Sequence, residues 1–111
     1  MASLLEKSCT PREGGAALPR AEATALLKEI PDWELNDAAD AISRLFRFKN
    51  YYETIAFVNA LAWIVHQEDH HPDLEVGYNR CRVRYRTHSA NGLSENDFIC
   101  AAKINALAAK H

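Results

Sequence analysis

The sequence has no apolar stretch long enough to cross a bilayer, no strong excess of either charge and no cysteines at CxxC spacing. Each absence removes a class of protein. The longest apolar run, Ile55 to Val65, is interrupted by Asn59 and falls far short of the ~20 residues a membrane helix needs. The first residues scatter Glu6 and Arg12 among small side chains without an apolar core, so no signal peptide is expected. A formal net charge of −2 gives no electrostatic reason to expect nucleic acid or an anionic membrane as partner. The 3 cysteines, Cys9, Cys81 and Cys100, cannot all pair within one chain, which points to a reducing compartment and no structural zinc. A cytoplasmic setting is therefore expected.

What is present is the composition of one globular domain: 111 residues, 48% hydrophobic and 25% charged. Residues 1–18 carry Pro11, Gly14 and Gly15 and no sustained periodicity, and they read as a loosely held tail in which Leu4 and Leu5 are free to dock. Residues 19–111 read as the domain. Pro19 suits a first helical position, Ala23, Leu26, Leu27 and Ile30 recur at helical spacing, and Pro31 ends the run. Trp33 to Leu35 and Ala41 to Phe48 then form an expected hairpin around Asn36-Asp37, with Arg44 and Arg47 spoiling a clean alternation.

Asn50 and Glu53 stand at capping-box spacing before a helix apolar on nearly every side. Such a helix must be covered on nearly every side, by the sheet and by another helix or subunit. Pro72 disfavours helical geometry at His71, which places the helix end near Asp69 or His70. Leu74, Val76 and Tyr78 alternate with polar residues. After a turn at Gly77 to Asn79, Cys81, Val83, Tyr85 and Thr87 alternate with Arg80, Arg82, Arg84, Arg86 and His88. That parity places His88 on the charged face, away from the core. Ser94 and Asp97 have capping-box spacing, and Leu93 with Phe98 a staple, before a final helix with Cys100, Ala101, Ile104, Leu107 and Ala108 inward. The expected fold is α+β, in the order α-β-β-α-β-β-α, with three helices on one face of a four-stranded antiparallel sheet.

The candidate chemistry lies between Glu68 and Asp97, which enclose three of the five histidines. Histidine titrates near neutral pH, so such a cluster can hold a proton donor beside a proton acceptor. His70-His71-Pro72, Tyr78, Thr87-His88, Gly92-Leu93-Ser94 and Asp97 together resemble the motif of the pterin-4a-carbinolamine dehydratases, over roughly Glu29 to Leu107. The resemblance implies the same fold and the dehydration of 4a-hydroxytetrahydrobiopterin to quinonoid dihydropterin, in tetrahydropterin recycling for aromatic amino acid hydroxylation. It implies catalysis by His70, His71 and His88, with His70 and His88 as acid and base and His71 orienting the pterin. It implies a binding set completed by His66, Asp69, Pro72, Thr87 and Asp97, where Asp97 orients a histidine or touches the ring. No metal and no dissociable cofactor is implied. The family often carries Glu where this chain has His66, so any role needing a negative charge there is open.

Plainer readings stand beside these. His66 reads more readily as a satisfied, partly buried helix histidine than as a catalyst, Asp97 as a helix cap, and the arginine ladder as a solvated sheet face rather than a nucleic-acid stripe. His66, His70 and His71 lack the spacing of a zinc site. Cys81 and Cys100 read as core thiols, and Phe57 and Trp63 as packing residues. Animal members of the family also serve as dimerisation cofactors for a transcription factor through the central helix, and distant relatives are linked to other pterins, including the molybdenum cofactor. The alternatives are therefore a binding module or a dehydratase-like protein of another pterin pathway. The wide apolar girth of the central helix leads us to expect a homodimer or homotetramer.

Overall fold

Alternation in the most regular strand sets the architecture. Cys81, Val83 and Tyr85 are fully buried while Arg80, Arg82 and Arg84 face outward. The computed structural model describes residues 3–11 and 16–109 of the chain. Helix α1 (Arg20–Leu27) is followed by β1 (Glu34–Leu35), β2 (Ile42–Arg47), α2 (Tyr51–Glu68), β3 (Asp73–Val76), β4 (Arg80–Tyr85) and α3 (Glu95–Ala109). The strands form one four-stranded antiparallel sheet in the order β1-β2-β4-β3. Ile42 pairs with Tyr85, Phe46 with Cys81 and Leu74 with Val83. Phe57, Leu61 and Val65 of α2 and Phe98, Cys100, Ala101 and Ile104 of α3 close over the inward side chains in a single core. No helix among the described residues is long and apolar enough to cross a membrane.

Local chemistry explains the boundaries. Asn50 accepts a hydrogen bond from the Glu53 N–H (2.8 Å), and Glu53 accepts one from the Lys49 N–H (3.2 Å), starting α2. Asp69, at φ 50, takes the left-handed conformation that ends it. Pro19 occupies the cap position before α1 rather than its first turn. The Asn36 side chain accepts from the Asp40 and Ala41 N–H groups and closes the first hairpin, leaving β1 only two residues long. Arg44 breaks the alternation of β2 because its guanidinium lies over the Phe46 ring and donates to Asn105 Oδ1 (2.6 Å).

Two regions differ from the pattern-based expectation. Residues 3–11 lie along α3 rather than hanging free. Leu4 is buried, Lys7 pairs with Glu95 (3.0 Å), and Thr10 and Asn96 exchange hydrogen bonds of 3.1 and 2.7 Å. A segment with no periodicity is held by single polar contacts, which periodicity does not register. The tail expected over Arg12, Gly14 and Gly15 lies outside the described residues. The fourth strand also stops short. Thr87 N–H donates to Gly92 O (2.7 Å), and His88–Ala90 form a 3-10 turn closed by Asn91 at φ 52. A Cβ on Gly92 would stand 2.7 Å from Ala17 Cβ, so glycine permits this loop to pass under residues 16–18.

Candidate active site

The site is assembled where α2 ends, β4 ends and α3 begins. Asp97 lies in the first turn of α3 with its side chain fully buried. Its Oδ2 accepts from the Ser94 backbone N–H (2.9 Å) and from the Thr87 hydroxyl (2.8 Å). The Ser94 hydroxyl lies 2.6 Å from Thr87 Oγ1, and since Thr87 donates to Asp97, Ser94 donates to Thr87. Asp97 Oδ1 remains, and it faces His70 Nε2 at 2.6 Å. A carboxylate only accepts, so Nε2 carries a proton and Nδ1 is the nitrogen left for exchange with a ligand. Asp97 therefore caps α3 and orients His70 with the same carboxylate.

Tyr85 holds the other sides of His70. Its ring stacks on the imidazole (5.2 Å between centroids, 11° between planes), and its hydroxyl donates to the His70 carbonyl (3.0 Å). Burial opposes the charged imidazolium, but the hydrogen bond and charge of Asp97 outweigh it, and the His70 pKa is raised above the usual histidine value. Burial drives the Tyr85 hydroxyl the other way, far above a free tyrosine, so it stays a donor.

His70 lines a cavity of about 570 Å³, within the range that takes a small ligand. Asp69, His71, Thr87 and His88 share its wall, so the structure brings together most of the residues singled out from the sequence. His71 and His88 are exposed, and the 3-10 turn presents His88 to the cavity instead of to the arginine face of the sheet. Thr87 spends its hydroxyl on Asp97, and Asp97 is enclosed behind His70. Pro72 is half-buried and, like His66, is absent from the cavity wall. His66 and His70 do not lie on one helix, because the left-handed Asp69 ends α2 between them. His66 instead continues an exposed stripe of α2 formed by Tyr52, Ala56, Asn59 and Trp63, at alternating spacings of four and three.

Several wall residues carry no mark in the sequence. Glu68 accepts from the Cys9 N–H (2.7 Å), which brings Cys9, Thr10 and Pro11 to the cavity. Arg86 supplies a cation, with Nη2 on Asn91 Oδ1 (3.0 Å) and a buried Nε for which no partner is found among the described residues. Tyr85 was legible as an inward residue, but nothing in the pattern reveals what its hydroxyl meets. No group of three or more His, Cys, Asp or Glu among the described residues is placed to hold a metal ion.

Comparison with known proteins identifies the family. The family model for pterin 4 alpha carbinolamine dehydratase matches residues 16–107. The chain belongs to that family. A protein of Nitrosomonas eutropha with the name "Putative pterin-4-alpha-carbinolamine dehydratase" is 59% identical, covering 94% of this chain and 92% of its own length. A Stenotrophomonas maltophilia protein of the same name is also 59% identical, covering 94% and 90%. Among solved structures, a transcriptional coactivator/pterin dehydratase from Brucella melitensis matches with TM-score 0.79 and 36% identity, over 83% of this chain and 98% of its own. A pterin dehydratase-like protein identified as a RuBisCO assembly factor in the alpha-carboxysome matches with TM-score 0.61, 72% of this chain and 93% of its own. At 23% identity that likeness speaks for the dehydratase-family fold alone.

Proposed function

We propose that the cavity dehydrates 4a-hydroxytetrahydrobiopterin to quinonoid dihydropterin, serving tetrahydropterin recycling for aromatic amino acid hydroxylation. The observation that carries this reading is the His70–Asp97 pair, a buried carboxylate that raises the pKa of an imidazole at the wall of a cavity of suitable size. Family membership supplies the substrate class. The reaction moves two protons. His70 gives its proton to the 4a hydroxyl, the C4a–O bond breaks and water leaves. His88 takes the proton from N5, and a C4a–N5 double bond forms. The two imidazoles then exchange the proton through solvent, which the exposure of His88 favours. His71 and Asp69 orient the ring, Asp97 positions His70, and neither metal nor dissociable cofactor enters. A cytoplasmic setting fits three free cysteines.

The test is turnover of chemically generated 4a-hydroxytetrahydropterin by the purified protein. His70→Ala and His88→Ala are each expected to lower kcat by about 10²-fold or more. His71→Ala acts mainly on KM. Wild-type kcat retained by His88→Ala would remove it from the mechanism.

The exposed stripe on α2 favours a second role. Tyr52 is 81% and Trp63 64% exposed in the single chain, on a helix whose opposite face is core. We propose that this face joins copies of the chain into a homodimer or homotetramer. A binding module acting through the same face is the competing reading, and a coactivator role is part of the Brucella protein's name. Loss of turnover in the His70 and His88 variants with assembly intact separates the two.

A further inference from the structure

We infer that Cys9 and Cys100 form a redox modification site, at which a hydroperoxide entering the cavity joins the two thiols and ties residues 3–11 covalently to α3. The inference does not depend on which reaction the cavity carries out. The two sulfur atoms lie 3.4 Å apart although the residues are at opposite ends of the sequence. Bonding at roughly 2.05 Å needs an approach of only about 1.3 Å. Cys9 is the side able to move and the side that can be reached. It is half-buried, lines the cavity and lies in an irregular stretch held locally by the hydrogen bonds at Cys9 and Thr10, whereas Cys100 is enclosed in the core.

The surroundings favour the chemistry. The Cys100 thiol is held below its ordinary pKa, chiefly by the hydrogen bond from Cys9 and further by the charge of His70, against the opposing effect of burial. The Cys9 thiol is pushed up and keeps the shared proton. As Cys9 Sγ attacks a peroxide oxygen, its proton passes to the Cys100 thiolate beside it, the O–O bond breaks and hydroxide leaves, to be protonated by solvent. Cys100 Sγ then attacks the sulfenic sulfur on Cys9, the S–S bond forms, and the S–O bond breaks as the hydroxide departs with the Cys100 proton as water. Two thiols and one hydrogen peroxide thus give one disulfide and two waters, each sulfur losing one electron. The third cysteine, Cys81, is buried in β4 and serves as an internal control.

The experiment treats the reduced full-length protein with equimolar hydrogen peroxide, then denatures it in an alkylating agent and measures mass. The inference predicts one alkylated cysteine, at Cys81, and a Cys9–Cys100 peptide pair that dithiothreitol separates. The oxidised protein should also melt several degrees higher than the reduced one, since the bridge closes most of the chain. Cys9→Ser and Cys100→Ser should each abolish both the crosslink and the reductant-sensitive Tm shift, with circular dichroism checking that they fold. Alkylation of all three cysteines, a bridge involving Cys81, or Cys9 oxidised to a sulfinic acid without a crosslink would overturn it.

Discussion

His70 meets fixed partners on three sides: Asp97 at Nε2, the Tyr85 ring across its face and the Tyr85 hydroxyl at its carbonyl. His88 stands on a short 3-10 turn at the rim of the same cavity, exposed, with no hydrogen-bonded side-chain partner found among the described residues. The two histidines share a motif and a cavity, but the fold packs one against fixed partners and leaves the other exposed. The contrast suits a donor that must be charged before the substrate arrives and an acceptor that must be emptied after each turnover.

The heaviest blow to this contrast is Asp97→Ala. It removes the acceptor of His70, the Thr87 hydroxyl and the Ser94 N–H together, leaving their donors enclosed. We expect a loss on the order of 3 kcal/mol of unfolding free energy, the scale for breaking a buried pair, measured by urea denaturation. An effect of a few tenths would mean the network is ornamental. Tyr85→Phe tests the remaining support more gently, because it keeps the stack and removes the hydroxyl with its contacts to the His70 carbonyl and the Cys100 thiol. A stability loss of about 1 kcal/mol is expected.

The pH dependence of stability follows from the direction of the His70 shift. Its folded pKa is raised above the ~6.5 of an unfolded histidine, so the pair with Asp97 stabilises the fold fully below that pH. The contribution is lost as pH rises through the folded value. The stability difference between wild type and His70→Gln should therefore be greatest below about pH 6.5 and shrink as pH rises through the raised folded value. A difference that grows would reverse the assignment.

Smaller effects are expected away from the pair. Light scattering at micromolar concentration should give a multiple of 12.5 kDa, and Trp63→Asp should shift it towards one chain. A wild-type mass near 12.5 kDa would defeat assembly through α2. Dialysis against a strong chelator should leave the dehydration rate unchanged, and zinc- or iron-restored activity would contradict that. His66→Gln should change kcat less than about twofold, because His66 lies on the exposed stripe rather than at the cavity.

Much of this was legible before the fold was known, where periodicity and capping carry the information. The alternation from Arg80 to Tyr85 specified β4, and Asn50 with Glu53 and Pro72 bracketed α2. The spacing of Ser94 and Asp97 foretold a cap. That the cap's second oxygen serves His70 depends on how α2 and α3 meet, which no local pattern encodes. His66 entered as the position where the family often carries Glu, and it stands on the exposed stripe of α2 rather than at the cavity wall. Cys9 and Thr10 were illegible because isolated polar contacts over a long sequence separation leave no period.

The central claim is that the Asp97-held His70 is the proton donor of a pterin dehydration. The pH–rate profile of kcat for wild type and Asp97→Asn tests it most directly, because it reads the donor's pKa during turnover. The account predicts a bell-shaped wild-type profile whose alkaline limb follows the loss of the His70 proton. In Asp97→Asn, with the carboxylate charge gone, that limb should move to lower pH. Superimposable alkaline limbs, or no turnover by the wild type, would contradict the account.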